Sequence, residues 1–163
     1  RDAVDRVAKE SKLLRGILEE FNPQFCFNLH DQRTIFGVEG TKNPATISFL
    51  APSEEETRAI TEGRKQTMNI IVAMNKMLQN IIPHFVGRYT DEFYPTATGD
   101  NFQKLGYNTI LIESFSDSKK DEAYQYKDEI IENKLVSKLE KIAENTLQNE
   151  IGHNEIVFEA NIY

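Results

Sequence analysis

Two short stretches carry residue types whose spacing could do chemistry. The first is Asn28-Leu29-His30-Asp31-Gln32-Arg33, where an imidazole is followed at once by a carboxylate, an amide and a guanidinium. The second is Asn108-Thr109-Ile110-Leu111-Ile112-Glu113, which ends in a carboxylate. An imidazole is a metal ligand or a proton carrier near neutral pH. A carboxylate beside apolar residues loses hydration, its pKa rises, and it becomes suited to general acid or base work. Plainer readings stand beside these. His30 could be a hydrogen-bonded histidine at the edge of the core, and Glu113 could pair with a nearby lysine or arginine.

Both stretches have the pattern of strands that must present these groups. Phe25-Cys26-Phe27 opens an apolar run over 24–29, and Thr109-Ile110-Leu111-Ile112 opens another over 108–113. Runs of this length with aromatic or β-branched content are buried strands. In α/β sheets such strands carry functional residues at their carboxyl ends, where His30 and Glu113 fall.

The surrounding elements follow from period and punctuation. Val4, Val7, Leu14, Ile17, Leu18 and Phe21 share one face of an amphipathic helix, with Asp2 available as its cap and Asn22-Pro23 as its stop. Residues 31–45 hold Gly37, Gly40, Asn43 and Pro44 and are expected to form a loop long enough to line a site. Thr46–Leu50 is a second short strand. Ser53 with Glu56 forms a capping box, which predicts a helix with Ile60, Thr67, Ile70, Met74, Met77 and Ile81 on one face, ending at Pro83. A short extended piece is expected at 85–89, and a short helix over 99–105 closed by Gly106. A charged helix is expected from 121 to about 149, with an edge strand or arm over 156–163.

The whole chain bounds the function. Its 163 residues are expected to form one α/β domain spanning 1–163, with a mixed, largely parallel sheet flanked by helices. Hydrophobic residues make up 39 % and charged residues 28 %, enough apolar content for a core. Nineteen basic against 26 acidic side chains give a formal charge of −7, which argues against a nucleic-acid partner. No apolar run approaches the roughly 18 residues that span a bilayer, and no membrane partner is expected. The single cysteine, Cys26, excludes an intrachain disulfide framework and a cysteine-rich zinc site. It fits a cytoplasmic setting.

Several segments, taken in order, resemble the zinc carboxypeptidases, the carboxypeptidase A-like metallopeptidases. Phe27-Asn28-Leu29-His30-Asp31-Gln32-Arg33 resembles the family's third-ligand segment. Tyr94-Pro95-Thr96-Ala97-Thr98-Gly99-Asp100, followed by Thr109 to Glu113, resembles its segment from the substrate-contacting tyrosine to the catalytic glutamate. Arg1-Asp2-Ala3 resembles the residues after the asparagine of its Asn-Arg pair. The resemblance covers residues 1 to about 115. It implies a zinc cofactor with His30 as a metal ligand and Glu113 as the catalytic base. It also implies that Arg1 binds a terminal carboxylate and Tyr94 covers the substrate, with Asp31, Gln32 and Arg33 on the rim.

The same resemblance implies more chain. The family draws its first two zinc ligands from a His-x-x-Glu motif upstream of the Asn-Arg pair, and this sequence contains none. His84 and His153 have other neighbours and are expected at the surface. The chain is therefore expected to be the latter part of a larger catalytic domain. Its implied activity is hydrolysis of a peptide or amide next to a free carboxylate. Two other functions share the sequence features: an N-acyl amino acid deacylase of the same fold, and a non-catalytic binding domain with an incomplete zinc site.

Overall fold

A computed structural model describes residues 2–32, 36–115, 141, 145 and 156–160. Along the described residues the elements run α1 (Lys9–Phe21), β1 (Phe25–Gln32), β2 (Ile47–Leu50), α2 (Glu62–Leu78), β3 (Val86–Arg88), α3 (Thr98–Lys104), β4 (Asn108–Phe115) and β5 (Ile156–Ala160). The strands lie in one sheet in the order β3-β2-β4-β1-β5. β1 runs parallel to both β4 and β5, and β2 runs parallel to β3. β2 and β4 are antiparallel, so the sheet is mixed and mostly parallel.

Period-two alternation divides each strand between two faces. Phe25 and Phe27 of β1, Ile110 and Ile112 of β4, and Ile47 and Phe49 of β2 turn to one face and meet Ile70, Met74 and Leu78 of α2. Each fully buried side chain of that size contributes about 1.5–3 kcal/mol. Cys26 turns to the other face, where it packs with Leu18 of α1 and Phe102 of α3. This second face is apolar near the start of β1 and polar towards its end, where Asn28 and His30 follow.

The sequence-based expectation of α1 needs correction at its start. The helix begins at Lys9, and Val4 and Val7 are 46 % and 78 % exposed. It ends as expected: Asn22 adopts a left-handed φ of 46°, and Pro23 follows. β1 runs three residues beyond the expected strand, to Gln32, so the loop after it starts later.

The capping box at Ser53 does not form. α2 starts at Glu62, with Thr61 accepting a hydrogen bond from the Arg64 amide at 3.2 Å. Glu54 accepts from the Thr61 hydroxyl at 2.5 Å and from Gln103 at 3.2 Å, which ties residues 51–61 down as an irregular strap. Arg58 takes a left-handed φ of 56°, which a helix interior does not allow. Ile60 and Ile81, placed on the helix face from sequence, lie outside α2 and are 59 % and 37 % exposed.

β2, β3, α3 and β4 match their expected places within a residue or two, and Gly106 follows α3 with φ of 92°. β5 forms the expected edge strand. The charged helix expected over 121–149 falls outside the described residues except at Lys141 and Asn145, both helical.

Candidate functional site

The parallel pairing of β1 with β4 sets His30 opposite Glu113 in register. Residues paired this way point to the same face. His30 Nδ1 stands 3.9 Å from Glu113 Oε1. The two candidates for chemistry are thus neighbours, at the carboxyl ends of two adjacent parallel strands.

Their environments differ. The Glu113 side chain is 9 % exposed and the His30 side chain 35 %. Burial pushes the Glu113 carboxyl above the usual carboxylate range, and the negative charge of Asp31 adds to the rise. Burial pushes the His30 imidazole below its usual value. A neutral imidazole keeps a lone pair for a metal or a proton, and a raised carboxyl is tuned towards proton transfer.

The row extends past Glu113. Ser48 of β2 is its antiparallel partner and is buried, and Gly87 of β3 pairs with Ser48 in turn. A Cβ on Gly87 would stand 2.8 Å from Ser48 Oγ and 2.9 Å from Ala45 Cβ, so only glycine fits there without displacement. Asn28, two residues before His30 on the same face, is buried beneath the pair. Gly99 of α3 packs on Asn28, with a Cβ there standing 3.0 Å from Asn28 Nδ2. The period of two could have flagged Asn28 from sequence. Ser48 could not be found, because its place depends on the register of β2.

Tyr94 lies in the segment leading into α3, and its ring is partly exposed. Its amide donates to Asp100 Oδ1 at 3.0 Å, and its hydroxyl donates to the Glu92 carboxylate. Arg1 falls outside the described residues, as does Arg33. The Ala3 amide donates to the Thr96 carbonyl at 3.2 Å, which joins Ala3 to the turn after Tyr94.

Of the expected rim residues, Asp31 is exposed, whereas Gln32 is 4 % exposed. Gln32 turns inward on the His30 face and donates through Nε2 to the Ala45 carbonyl, while its Oε1 is buried without a partner. Its place on the rim is corrected to one between β1 and the start of β2. His84 is exposed, as expected.

A catalytic zinc takes three protein donors and leaves one position for water. His30 supplies one imidazole of the right kind. Among the described residues no group of three His, Cys, Asp or Glu side chains is placed to hold a metal. His30 alone is one donor of the three such a site needs.

A cleft of about 800 Å³ opens elsewhere, between α2 and the β2–β3 edge, with Phe49, Met68 and Ile71 among its lining residues. It contains none of His30, Glu113 and Tyr94. Its polar wall includes Arg64, 3 % exposed and bonded to Asp91 at 2.5 Å and to the Ala51 carbonyl at 3.0 Å. That arginine is committed to holding the strap at 51–61. The paired groups of chemical interest lie on the other face, which makes that face the better candidate.

No protein-family model, curated protein or solved structure matches this chain. Among the described residues no helix is long and apolar enough to cross a membrane.

Proposed function

We propose that this chain carries the base and one ligand of a zinc-dependent carboxypeptidase-like hydrolase. The observation that supports it is the His30–Glu113 pair, 3.9 Å apart at adjacent strand ends, with a buried carboxyl raised by its surroundings. His30 would hold the metal together with donors from upstream chain. Zinc, when bound, lowers the pKa of water to about 7 and polarises the scissile carbonyl. Glu113 removes the proton of the attacking water and delivers it to the leaving amine. Arg1 would receive the free carboxylate through a bidentate guanidinium, and Tyr94 would cover the bound substrate.

The test uses the protein extended upstream to include a His-x-x-Glu segment. One tightly bound zinc per chain is expected, lost in His30→Ala. Blocked dipeptides with a free carboxylate should be cleaved, and Glu113→Gln should keep zinc while losing about 10²–10⁴ of the turnover. Zinc binding indifferent to His30, or full activity in Glu113→Gln, would remove the assignment. N-acyl amino acids in the same panel separate a deacylase from a peptidase. A protein that binds no zinc in any form is instead a binding domain.

A further inference from the structure

Helix α2 carries an apolar stripe that the core does not fully cover. Its buried side chains are Arg64, Thr67, Ile70, Met74 and Leu78. Met68, Ile71 and Val72 stand beside them at i, i+3 and i+4, the spacing of neighbours on one helix face. Val72 is 51 % exposed, and Met68 and Ile71 are half-buried. All three line the cleft of about 800 Å³ between α2 and the β2–β3 edge, a volume typical of small-molecule sites.

The polar end of the cleft is built on a buried cation. Arg64 donates through Nε to the Ala51 carbonyl at 3.0 Å and through Nη1 to the Arg58 carbonyl at 2.7 Å, and these bonds hold the strap. Nη2 carries two N–H groups. Among the described residues its one partner is Asp91, at 2.5 Å. A buried donor without an acceptor is costly, which favours any ligand that supplies one. Arg58 approaches the other oxygen of the same carboxylate, with Nη1 3.3 Å from Asp91 Oδ1. The hydrogen bond from Arg64 holds the Asp91 carboxyl below the usual carboxylate range, so Asp91 is ionised at neutral pH. Two guanidiniums thus share one negative charge, and a second would balance them.

The rest of the lining limits the ligand. Glu39 faces Arg88 across 3.7 Å, and the Glu92 carboxylate accepts from the Tyr94 hydroxyl. These nearby carboxylates disfavour a dianion. Arg64, Met68 and Val72 follow one another at intervals of four, which sets the cation about 12 Å along the helix axis from the far end of the stripe. That is the length of a medium-chain fatty acid. We propose that the cleft binds a medium-chain monocarboxylate, with its alkyl chain on Met68, Ile71 and Val72 and its carboxylate between Arg58 and the second N–H of Arg64 Nη2. The inference is independent of the reading of His30 and Glu113, which do not line the cleft.

The test is calorimetric titration of the 163-residue chain with octanoate, octanamide, acetate and inorganic phosphate. Octanoate is expected to bind at one site per chain, at least tenfold more tightly than each of the others. Methyl signals of Met68, Ile71 and Val72 should shift over the same concentrations. Arg58→Asn removes the cation with a residue that tolerates the left-handed backbone there, and should weaken octanoate at least fivefold. Arg58→Lys, which keeps the charge, should retain more of the binding. Val72→Glu should weaken octanoate at least tenfold with little change in melting temperature. If Val72→Glu melts early, the Arg58 pair decides. Octanamide or phosphate bound as tightly as octanoate overturns the inference, as does no octanoate binding at millimolar concentration. Undiminished binding in Arg58→Asn or in a folded Val72→Glu overturns it too. Equal losses in Arg58→Asn and Arg58→Lys would assign the effect to the strap rather than to the charge, with the same result.

Discussion

At the scale of single residues, the pKa directions of the central pair make opposite contributions to stability. The folded state raises the Glu113 pKa, so it binds that proton more tightly than the unfolded chain does. Stability from this group is full below the unfolded carboxylate range and is lost as pH rises through the raised value. The folded state lowers the His30 pKa, so that contribution is full above the imidazole's usual 6.5 and is lost as pH falls. Glu113→Gln should therefore raise the melting temperature at about pH 8 and leave it nearly unchanged at about pH 3. Asp31→Asn should give a smaller change of the same sign, because Asp31 is the lesser cause. Thermal melts across pH check both, and an unshifted melt of Glu113→Gln at the higher pH contradicts the buried ionised carboxylate. His30 and Glu113 were legible from sequence because each ends an apolar run, where a titratable group has few bland reasons to be. Ser48 and Gly87 were not, since a serine or glycine in a short strand gains its meaning only from the strand beside it.

At the scale of elements, the start of α2 shows why local chemistry misleads. Ser53 and Glu56 have the spacing of a capping box, but tertiary partners claim the neighbourhood first. Glu54 is taken by Thr61 and Gln103, and the buried Arg64 draws the Arg58 carbonyl to 2.7 Å. The cap function passes to Thr61. Thr61→Ala should cost about 1 kcal/mol. Ser53→Ala should be neutral or slightly stabilising, because the buried Ser53 hydroxyl has no hydrogen-bond partner. Urea unfolding of the two variants distinguishes them, and a larger loss in Ser53→Ala would return the helix start to residue 53. The stop expected at Pro83 is also corrected, since α2 ends at Leu78, but two other stop signals match the structure. Asn22-Pro23 and Gly106 act through backbone geometry, which few neighbours can override.

At the scale of the whole molecule, the α/β class was readable from the switch between period two and period 3.6. The order of the sheet was not. Nothing in Ile47–Leu50 says that it runs against β4, or that β4 lies between β2 and β1. Those facts are set by the packing of both faces at once, with α2 on one and α1 with α3 on the other. Phe27 depends directly on this arrangement, since it is 1 % exposed in a strand paired on both sides. Phe27→Ala should cost about 3–5 kcal/mol. A denaturant midpoint shift much smaller than that would mean the site collapses around the cavity.

The same central place of β1 has a consequence for biosynthesis. Its partner strand β4 follows about eighty residues later in the chain. While the chain is being made, Phe25–Gln32 therefore waits with a long loop still to be closed, and contacts of such separation form slowly. An unpaired strand beginning Phe-Cys-Phe is a template for pairing with other nascent chains. The strand that brings His30 to Glu113 thus keeps both edges unpaired until residues 108–115 have been synthesised, and one edge until residues 156–160 follow.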